Sequence, residues 1–510
     1  MDTKALRQKI LDLAIRGKLV PQDPSDEPAS VLLERIREQK KQMVKEGKLK
    51  PKDIKNDTVI FKGEDSLHYE KFQDGTVKCI EDEIPFDIPD GWEWCRLRDI
   101  CMMAAGKSKP KDQIKAEPFK GSYPCFGGNG IRGYVDEYNQ DGTYSLIGRQ
   151  GALCGNINVA SGKFYATEHA VVTTLFSGID FNWSNYILEA LQLNTYATGA
   201  AQPGLSVANI LSVFIPVAPV HEQKRIGNKI AFSIEIIEAI EQEKSDLQTL
   251  VTHAKSKILD LAIRGRLVPQ DPTDEPASVL LKRIRAEKEE LIKQGKLKRN
   301  KKESFIYRGE DKSYYLNHGE TTVDISDNLP FDIPDSWCWV RLKDVFIINP
   351  RNKLEDNLDV SFIPMSLIND GYDGRHTSKT RQWKEVKTGF THFAEGDVGF
   401  AKITPCFENR KSTVFEKLSN GYGAGTTELH ILRPYDNTIL AQYLLTYIKS
   451  DYFVENGKQT FKGAVGQQRI SKEYIDEAYF PVPPIQEQKR IVHHISILFE
   501  HLNMIAEALS

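Results

Sequence analysis

The chain lacks the features that indicate membrane insertion, secretion or metal binding. Its 510 residues contain no apolar run of about 18 residues, and the opening stretch MDTKALRQKI has no apolar segment typical of a signal peptide. The seven cysteines are scattered, odd in number and include no CxxC pair, which argues against a disulfide framework and against a zinc site. We therefore expect a cytoplasmic protein whose thiols are reduced.

Motifs of catalysis are also scarce. No NPPY-like or DPPY-like tetrapeptide occurs, no GxGxxG opens a helix, and the GKS at 106–108 lacks the earlier glycine of a P-loop. The Pro-Asp pairs at 89–90 and 334–335 have no D/E-x-K at the spacing of a nuclease site. His169 and His430 lie on strand-like runs without a His or Cys at metal-ligand spacing, so we interpret them as structural. We expect no catalytic, cofactor-binding or metal-binding residue in this chain.

Positive charge is not in excess either. With 68 Lys and Arg against 71 Asp and Glu, the net charge is −3, so a DNA-binding surface would have to come from local clusters. Residues 34–52 hold eight Lys and Arg against three Glu, and residues 282–302 hold ten against three. Such runs are equally typical of a solvated helix face followed by a basic connection.

What the chain does have is an internal repeat, which is the strongest signal in the sequence. Residues 10–50 match residues 258–298 without a gap at 31 of 41 positions, including ILDLAIRG and DEPASVLL. Two later blocks recur as PFDIPDGWEWCRLRD (85–99) with PFDIPDSWCWVRLKD (330–344), and as FIPVAPVHEQKRI (214–226) with YFPVPPIQEQKRI (479–491). The repeat predicts that one scaffold was built twice.

Between the second and third blocks the similarity nearly vanishes. Residues 100–212 and 345–477 are inserts of similar size and different sequence, so the scaffold carries two distinct heads. We predict two globular mixed α/β domains on a helical scaffold. The predicted segments are half of a composite helix at 1–17, a repeated connection at 18–90, the first head at 91–217, a central helix at 218–265, a second connection at 266–335, the second head at 336–482, and the other half-helix at 483–510.

The segment 222–264 contains no proline and one glycine, and its apolar residues follow a heptad pattern, which predicts one long helix. The amino-terminal stretch repeats the second half of this pattern, and the carboxy-terminal stretch repeats the first half. The predicted apolar seam consists of Leu6, Ile10, Leu13, Ile226, Ile230, Ile237, Ile240, Leu247, Val251, Ile258, Leu261, Ile491, Ile495, Leu498, Leu502 and Ile505.

An isolated half-helix would expose its apolar seam. The simplest way to bury both halves is for the two termini to meet end to end as a composite helix, packed antiparallel on the central helix. This predicts a pseudo-two-fold coiled-coil spine with one head at each end. The alternative is two tandem domains joined by a loose helical linker.

The first head carries nine glycines between residues 121 and 155, interleaved with tyrosines and arginines. Glycine lets a loop lie close to a phosphate backbone, and Arg, Asn and Gln can read base edges, but the same pattern is typical of hairpin turns without a ligand. The candidate DNA-contacting residues of this head are Lys107, Lys109, Asn129, Arg132, Tyr134, Arg149, Gln150 and Gln202.

The second head has fewer glycines and more charge. The closing stretches TGAAQPGLS (198–206) and KGAVGQQRIS (462–471) place Gln202 and Gln467 at the same position, which we predict to be a loop before a short helix. Such a loop is equally consistent with a plain helix N-terminus. The candidate DNA-contacting residues of this head are Arg351, Lys379, Arg381, Lys402, Asn409, Arg410, Lys411, Gln467 and Arg469.

The repeated ILDLAIRG, the PxPPxxEQKRI-type blocks, GNGIRGYVD, LIGRQGALCG and the GAxQxxLS-like closures resemble the specificity subunits of type I restriction-modification systems. The resemblance covers essentially the whole chain, with Ala218 standing where the pattern has proline. It implies two target-recognition domains that each read one half of an asymmetric, split DNA sequence, with the coiled coil setting the unread gap.

The resemblance also implies partners. Two methyltransferase subunits would dock on the repeated helical regions, and restriction subunits with translocase and nuclease activity would join that core. S-adenosylmethionine, ATP and magnesium would belong to those partners, because methylation needs the target base flipped into the methyltransferase pocket. Two rival interpretations remain, namely a fused nuclease or methyltransferase and a protein-binding scaffold that does not contact DNA.

Overall fold

The computed structural model describes residues 2–151, 153–199, 203–297, 304–319, 321–435, 438–464 and 466–509. Gln202, a candidate from the sequence, lies outside the described residues. The chain divides into two compact units, residues 1–243 and 244–510, and each combines helices with strands, so the prediction of two mixed α/β units is confirmed. Among the described helices, none has the length and apolar character that crossing a bilayer requires.

The first unit contains six helices of its own and the beginning of a long seventh, within the described residues. The helices are α1 (Thr3–Ile15), α2 (Ala29–Lys45), α3 (Pro51–Ile54), α4 (Leu97–Ile100), α5 (Phe181–Ala190), α6 (Val207–Leu211) and α7 (Val220–Ile263). The strands are β1 (Val59–Lys62), β2 (His68–Lys71), β3 (Val77–Cys79), β4 (Glu93–Arg96), β5 (Cys101–Ala105), β6 (Tyr123–Gly127), β7 (Gly130–Val135), β8 (Gln140–Asp141), β9 (Tyr144–Gly148), β10 (Ile157–Ala160), β11 (Lys163–Ala166), β12 (Ala170–Leu175) and β13 (Phe214–Val217).

The second unit contains the rest of α7 and the elements that follow it. The helices are α8 (Ala277–Lys293), α9 (Leu342–Val345), α10 (Trp383–Val386), α11 (Ala441–Ile448), α12 (Asp451–Lys458), α13 (Lys472–Glu477) and α14 (Ile485–Leu509). The strands are β14 (Phe305–Arg308), β15 (Tyr314–His318), β16 (Thr321–Asp324), β17 (Cys338–Arg341), β18 (Phe346–Ile348), β19 (Asp359–Ile363), β20 (Lys379–Gln382), β21 (Thr391–Ala394), β22 (Val398–Ala401), β23 (Ser412–Val414), β24 (Tyr422–Gly425), β25 (Leu429–Pro434) and β26 (Tyr479–Val482).

The two heads have the same sheet topology although their sequences differ. Each head holds two four-stranded sheets, ordered β10-β9-β12-β5 and β7-β6-β11-β8 in the first and β23-β22-β25-β18 and β20-β19-β24-β21 in the second. The second sheet of each head has one parallel pair, β6 with β11 and β19 with β24. A two-stranded pair, β4 with β13 or β17 with β26, closes each head. The heads are therefore two versions of one fold.

Each terminal helix lies antiparallel along one part of α7, within its own unit. In the first unit, Arg7 of α1 forms ion pairs with Glu238 and Glu241, at 3.5 and 3.3 Å. In the second unit, the Lys255 amine donates to Asn503 of α14 at 2.6 Å. The helices lie inside the predicted segments 1–17, 218–265 and 483–510. The seven-part division and the joining of the two ends into one composite helix stay predictions.

The predicted apolar seam is buried over most of its length. Buried members are Ile226, Ile230, Ile237, Val251, Ile491 and Ile495, and half-buried members are Ile10, Leu13, Ile240, Ile258, Leu261, Leu498 and Leu502. Leu6, Leu247 and Ile505 are 37%, 45% and 47% exposed, and their burial in the seam stays a prediction. These three side chains are not members of the large cores of the two units.

At the carboxyl end of α7, the buried face is not the predicted one. Leu259, Ala262 and Ile263 are buried in the core around Trp337, one position beyond Ile258 and Leu261 of the heptad pattern. The reason is that this end of α7 packs on the globular core of the second unit rather than only on a neighbouring helix. A heptad pattern follows helix pairs and does not anticipate that contact.

The repeated ILDLAIRG marks a helix end. Gly17 and Gly265 have φ of +63° and +67°, the left-handed conformation that glycine adopts at helix C-termini. The amide of Lys18 donates to the carbonyl of Leu13 at 2.8 Å, and Arg266 repeats this bond in the second unit. A side chain at Gly17 would overlap a proline ring of the second repeated block at 2.5 Å. Glycine is therefore needed here for two reasons: it ends the helix, and it leaves room for the Pro89 ring of the second repeated block.

The three repeated blocks of the first unit meet at one buried carboxylate. Glu222, in the first turn of α7, accepts the indole N–H of Trp92 at 3.0 Å and the side-chain amide of Gln22 at 2.8 Å. One helical turn on, Arg225 forms an ion pair with Asp26 at 2.5 Å. Block one supplies Gln22 and Asp26, block two supplies Trp92, and block three supplies Glu222 and Arg225. The blocks recur because each contributes to one polar cluster.

The second unit repeats this cluster. Glu487 accepts from Trp337 at 2.9 Å and from Gln270 at 2.5 Å, and Arg490 pairs with Asp274 at 2.6 Å. Burial raises the pKa of the Glu487 carboxyl, and the hydrogen bonds from Trp337 and Gln270 oppose that rise. A buried carboxylate is costly unless it is hydrogen-bonded, so loss of either donor should destabilise the unit.

Candidate nucleic-acid interface

Several loops of the first head come together at one end of its sheets. The backbone amide of Lys107 donates to the carbonyl of Ala166 at 3.0 Å, and that of Arg149 donates to His169 at 3.1 Å. Leu205, which follows the closing loop, donates to the carbonyl of Arg149 at 2.8 Å. The loops after β5, β9 and β11 and the closing loop therefore share one surface.

Four of the predicted residues lie at this end. Lys107, Asn129 and Gln150 are exposed, and Arg149 is half-buried. The side-chain amide of Asn156 donates to the Asn129 oxygen at 2.8 Å, which fixes the turn between β6 and β7. The buried Nε of Arg149 has no hydrogen-bond partner. This end of the head therefore presents the cations of Lys107 and Arg149 and several amide groups, which suit the edges of bases and the oxygens of phosphates.

Arg132 and Tyr134 lie on β7, an edge strand of the second sheet. Arg132 is the extra residue of a β-bulge, because Gly133 pairs with Cys125 and Ile131 with Phe126, whereas Tyr134 keeps its partner Pro124. Arg132 is exposed and stands beside Gly127 at the turn, whereas Tyr134 is half-buried and its backbone amide donates to Lys115 at 2.8 Å. Arg132 belongs to the loop end, and Tyr134 lies further along the strand.

Gly148, at the end of β9, shows whether the glycines of this head admit a DNA backbone or only allow tight turns. A side chain there would lie 2.1 Å from the carbonyl oxygen of Gly128, a contact that real Cβ atoms do not make. Gly148 is therefore required where two segments of the chain approach each other. The turn interpretation explains this glycine without any ligand.

The second head repeats the backbone frame of the first with other side chains. The amide of Lys402 donates to Glu428 and its carbonyl accepts from Ile470, each at 3.0 Å. By these bonds Lys402 takes the place of Arg149, and Glu428 takes the place of His169. The closing loops are pinned alike, because Thr198 pairs with Gly204 as Lys462 pairs with Arg469.

At this end of the second head, Arg469 and Glu428 form a two-bonded ion pair. The Nε and one terminal nitrogen of Arg469 donate to the two carboxylate oxygens, each at 2.9 Å. These hydrogen bonds lower the pKa of the Glu428 carboxyl. The sequence prediction included Arg469 but missed Glu428. TEH at 167–169 and TEL at 427–429 each lead into a buried strand, but they align Glu428 with Glu168 and not with its structural counterpart His169, so this signal does not find the pair.

Gln467 is exposed in the closing loop, which ends just before α13, so the predicted loop before a short helix is confirmed for this residue. Asn409 is also exposed, and its carbonyl accepts from the amide of Gly371 at 2.7 Å. Both side chains are available to a ligand.

Three further candidates lie along the second sheet of the second head. Lys379 and Arg381 are exposed on the edge strand β20, where the Arg381 guanidinium stacks 5.1 Å from the Phe362 ring. Arg351 is exposed and donates to the carbonyl of Phe390 at 3.0 Å. Lys379 pairs with the end of β19 and is nearest to the loop end of the three.

Three candidates have internal partners, and their role as DNA contacts stays a prediction. Lys109 pairs with Glu137 at 2.8 Å, and its side chain is 8% exposed. Arg410 donates to the carbonyl of Lys449 at 3.0 Å and pairs with Asp451. These cations stabilise the head, because moving them to a ligand would leave carboxylates and carbonyls without partners.

Lys411 is the third. Its amine donates to the carbonyls of Met365 and Ile368 at 3.4 and 3.1 Å and pairs with Asp370 at 3.2 Å. It holds the loop between β19 and β20 from within. A sequence shows that a residue is basic but not that a distant loop supplies its acceptors.

The same loop has a second buried cation, which the sequence did not single out. The amine of Lys449 donates to the carbonyls of Gly371, Asp373 and Arg410 at 2.7, 3.2 and 3.0 Å. Burial lowers the pKa of Lys449 to about 7, and the nearby Asp373 opposes that shift. Lys449 therefore fixes residues 371–373 in place.

The histidines occupy structural positions. His430 is buried on β25, burial lowers its pKa to about 4, and its Nδ1 lies 3.2 Å from the side-chain nitrogen of Asn349. His169 is half-buried beside Glu168 at 3.3 Å. Across the described residues, no group of three or more His, Cys, Asp and Glu side chains is placed to hold a metal ion.

The first basic run forms a solvated helix face. On α2, Arg37 pairs with Glu34, and Lys41 pairs with Glu38 at 2.7 Å. In the second run Arg283 pairs with Glu275, while residues 298–302 lie outside the described residues. The carboxylates therefore offset much of the charge that these runs carry.

Comparison with known proteins gives one family. Residues 89–249 and 334–509, more than half of the chain, match the model of the type I restriction modification DNA specificity domain. The chain is 47% identical over 236 residues to the specificity subunit of the type I restriction enzyme EcoAI of Escherichia coli, which covers 46% of this chain and 37% of that protein.

A second relative is the EcoEI specificity subunit of the same organism, 45% identical over 242 residues, which covers 47% of this chain and 38% of that protein. The EcoDI specificity subunit is 20% identical over 427 residues, 82% of this chain and 83% of that one. The matched parts thus span less than two fifths of the first two relatives.

Solved structures give weaker likenesses. The HsdS subunit from Thermoanaerobacter tengcongensis has a TM-score of 0.43 at 14% identity and covers 84% of this chain and 94% of that one. The S subunit from M. genitalium has a TM-score of 0.31 at 14% identity, over 83% and 96%. Both scores lie below 0.5, so neither likeness bears on the fold.

Proposed function

The chain belongs to the type I restriction modification DNA specificity family, and on that premise we propose that it selects the DNA sequence on which a restriction-modification complex acts. Each head reads one half of a split, asymmetric target, and the helical region sets the unread gap between the halves. The observation that carries this proposal is the pair of heads, which share one backbone frame and differ in the side chains at its loop end.

Two different readers on one scaffold suit such a target. Arg149 and Lys402 occupy the same position in the two frames, as do His169 and Glu428. Because side chains at equivalent positions would meet equivalent groups of DNA, different side chains select different bases. Unlike heads therefore make the recognised sequence asymmetric.

We propose that catalysis belongs to partner subunits. Two methyltransferase subunits dock on the repeated regions and carry S-adenosylmethionine, and restriction subunits carry ATP and magnesium. The repeated blocks support this arrangement, because the same buried cluster around Glu222 and around Glu487 shows that one scaffold is built twice, and two copies of one partner need two like docking regions. The complex works in the cytoplasm, where its DNA lies.

We also propose that α1 and α14 meet end to end as a composite helix that packs on α7. Within each unit the terminal helix already lies antiparallel along part of α7. The exposed Leu247 and Ile505 are apolar side chains that such a join would cover. The spine then holds the two heads at a fixed spacing.

The test is DNA binding by the full chain, alone and with its methyltransferase subunits, over a range of salt concentrations. Contacts with several phosphates make the logarithm of affinity fall with the logarithm of salt by about 0.9 for each phosphate. Binding that is absent, or that does not depend on salt, contradicts the proposal and favours a protein scaffold. Methylation or cleavage by the isolated chain, with S-adenosylmethionine or a divalent metal supplied, favours a fused enzyme.

A further inference from the structure

The side chain of Arg469 has two donors left over from its internal bonds. A guanidinium carries five N–H groups. Two of these bind the carboxylate of Glu428, one from Nε and one from a terminal nitrogen, both at 2.9 Å. A third, on the other terminal nitrogen, donates to the backbone carbonyl of Gln467 at 3.0 Å. One N–H therefore remains on each terminal nitrogen.

The free N–H on the terminal nitrogen that binds Glu428 is turned away from that carboxylate. The carboxylate occupies the side of the guanidinium that contains Nε, so this donor lies along the outer end of the side chain. The side chain is 44% exposed, which leaves this end open to a ligand. Donors on the two terminal nitrogens of an arginine match the O6 and N7 atoms of guanine in the major groove, and they also match two oxygens of a phosphate.

The position of Arg469 is specific to the second head. By the pairing of the closing loops, its counterpart in the first head is Gly204, which has no side chain. The counterpart of Glu428 is His169. The frame is thus the same in both heads, and at this position the second head has an arginine where the first has a glycine.

We propose that Arg469 reads a guanine in the half of the target that the second head recognises, and that Glu428 is the residue that positions it. This inference rests on the proposed function. The bonds to Glu428 and Gln467 hold the guanidinium in one orientation before DNA arrives, so little side-chain entropy is lost on binding. Glu428 itself needs no contact with DNA.

Variants of the full chain, expressed with its partner subunits, test this through the set of methylated sequences in the cell. The variants are R469Q, which removes the charge and the fork, R469K, which keeps the charge alone, and E428Q, which weakens the positioning contact. The matched control is R375Q. Arg375 is another exposed arginine of the same head that donates side-on to a carboxylate, that of Asp373, at 2.6 to 2.9 Å.

We expect the wild-type half-site of the second head to contain a G·C pair. R469Q and R469K should both relax the choice at that pair about tenfold to a hundredfold, with the other half-site unchanged. E428Q should relax the same pair by less, and R375Q should leave the recognised sequence intact. Continued reading of the first half-site shows that the variant chains are folded.

Two results overturn the inference. If R469Q lowers methylation by one factor at all sites and R469K restores it, Arg469 contacts a phosphate. If E428Q leaves the choice unchanged while R469Q relaxes it, Glu428 does not position the arginine. Both results keep a two-part recognised sequence, whereas a wild-type chain that directs no such methylation contradicts the proposed function instead.

Discussion

The two heads and the repeated blocks that carry them differ in how their structure is encoded. The blocks keep their residues nearly unchanged, because Glu222 and Glu487 each need a tryptophan, a glutamine and a precise approach of three segments. The heads keep only the order of their strands, and their inserts share almost no sequence. A scaffold that holds buried charge tolerates little change, whereas a sheet frame with an apolar core tolerates many sequences.

The heads also differ in the length of one loop, which connects the first two strands of the second sheet. Between β6 and β7 the chain turns through residues 128–129, whereas the equivalent connection between β19 and β20 runs through residues 364–378. Lys411 and Lys449 hold this longer loop by donating to its carbonyls. Basic residues of the second head thus serve its own loop, which explains why so many of them lie away from the loop end.

The largest expected effect comes from replacing one head. Exchange of residues 345–477 for the corresponding insert of another family member should change one half of the recognised sequence completely and leave the other half as it was. The reason is that each head lies within its own compact unit, which has its own core. The methylated sequences of cells that express the chimera measure this. A change in both halves would mean that the heads do not read independently.

A matched pair of substitutions tests the close approach of Gly148 to Gly128 in the first head. Gly148 and Ala401 are equivalent, since each ends the strand that pairs with the start of β12 or β25. Gly148→Ala should lower the free energy of unfolding by about 2–4 kcal/mol, because its Cβ would meet the Gly128 carbonyl at 2.1 Å. Ala401→Gly should cost only about 1 kcal/mol. Denaturant unfolding of both full-chain variants measures the difference, and equal losses would contradict the close approach of Gly148 to the Gly128 carbonyl.

Lys449→Met tests the cation that only the second head uses. Without the amine, the carbonyls of Gly371 and Arg410 lose a buried donor, and we expect a loss of about 1–3 kcal/mol. The pKa of Lys449 is about 7 in the folded chain, against 10.5 as its ordinary value. Between these values the unfolded chain holds a proton that the folded chain does not, so the amine makes stability rise with pH.

The methionine variant lacks this rise, and its deficit should therefore be greater near about pH 9.5 than near about pH 7. Besides Lys449, the charged groups that act on this site are Asp373, Asp370 and Arg410. Unfolding at the two pH values, with Lys458→Met as a control on an exposed amine of the same unit, separates this effect from the general pH response. A deficit that shrinks with rising pH would contradict the assignment.

The smallest expected difference between the two units concerns the repeated scaffold. Trp92→Phe and Trp337→Phe each remove one indole N–H from a buried carboxylate, at Glu222 and Glu487. Each should cost about 1–3 kcal/mol, and the two losses should be equal within error because the clusters are equivalent. Thermal unfolding of the two variants measures this. A loss confined to one unit would show that the clusters do not support their units alike.

The sequence predicted the scaffold better than the heads, for a physical reason. The repeat located α1, α7 and α14, because an uninterrupted apolar periodicity and a glycine at the helix end are local signals. The matching strand order of the heads left no trace in the sequence, since sheet pairing joins distant residues. The internal partners of Lys109, Arg410 and Lys411 could not be predicted either, because these partners lie on distant segments of the chain.

The most direct test of the central claim is the set of methylated DNA sequences in a cell that expresses this chain with its methyltransferase subunits. Two unlike heads on one spacer predict a single recognised sequence with two different specified parts and a gap of constant length. A recognised sequence that is one uninterrupted palindrome would contradict the account.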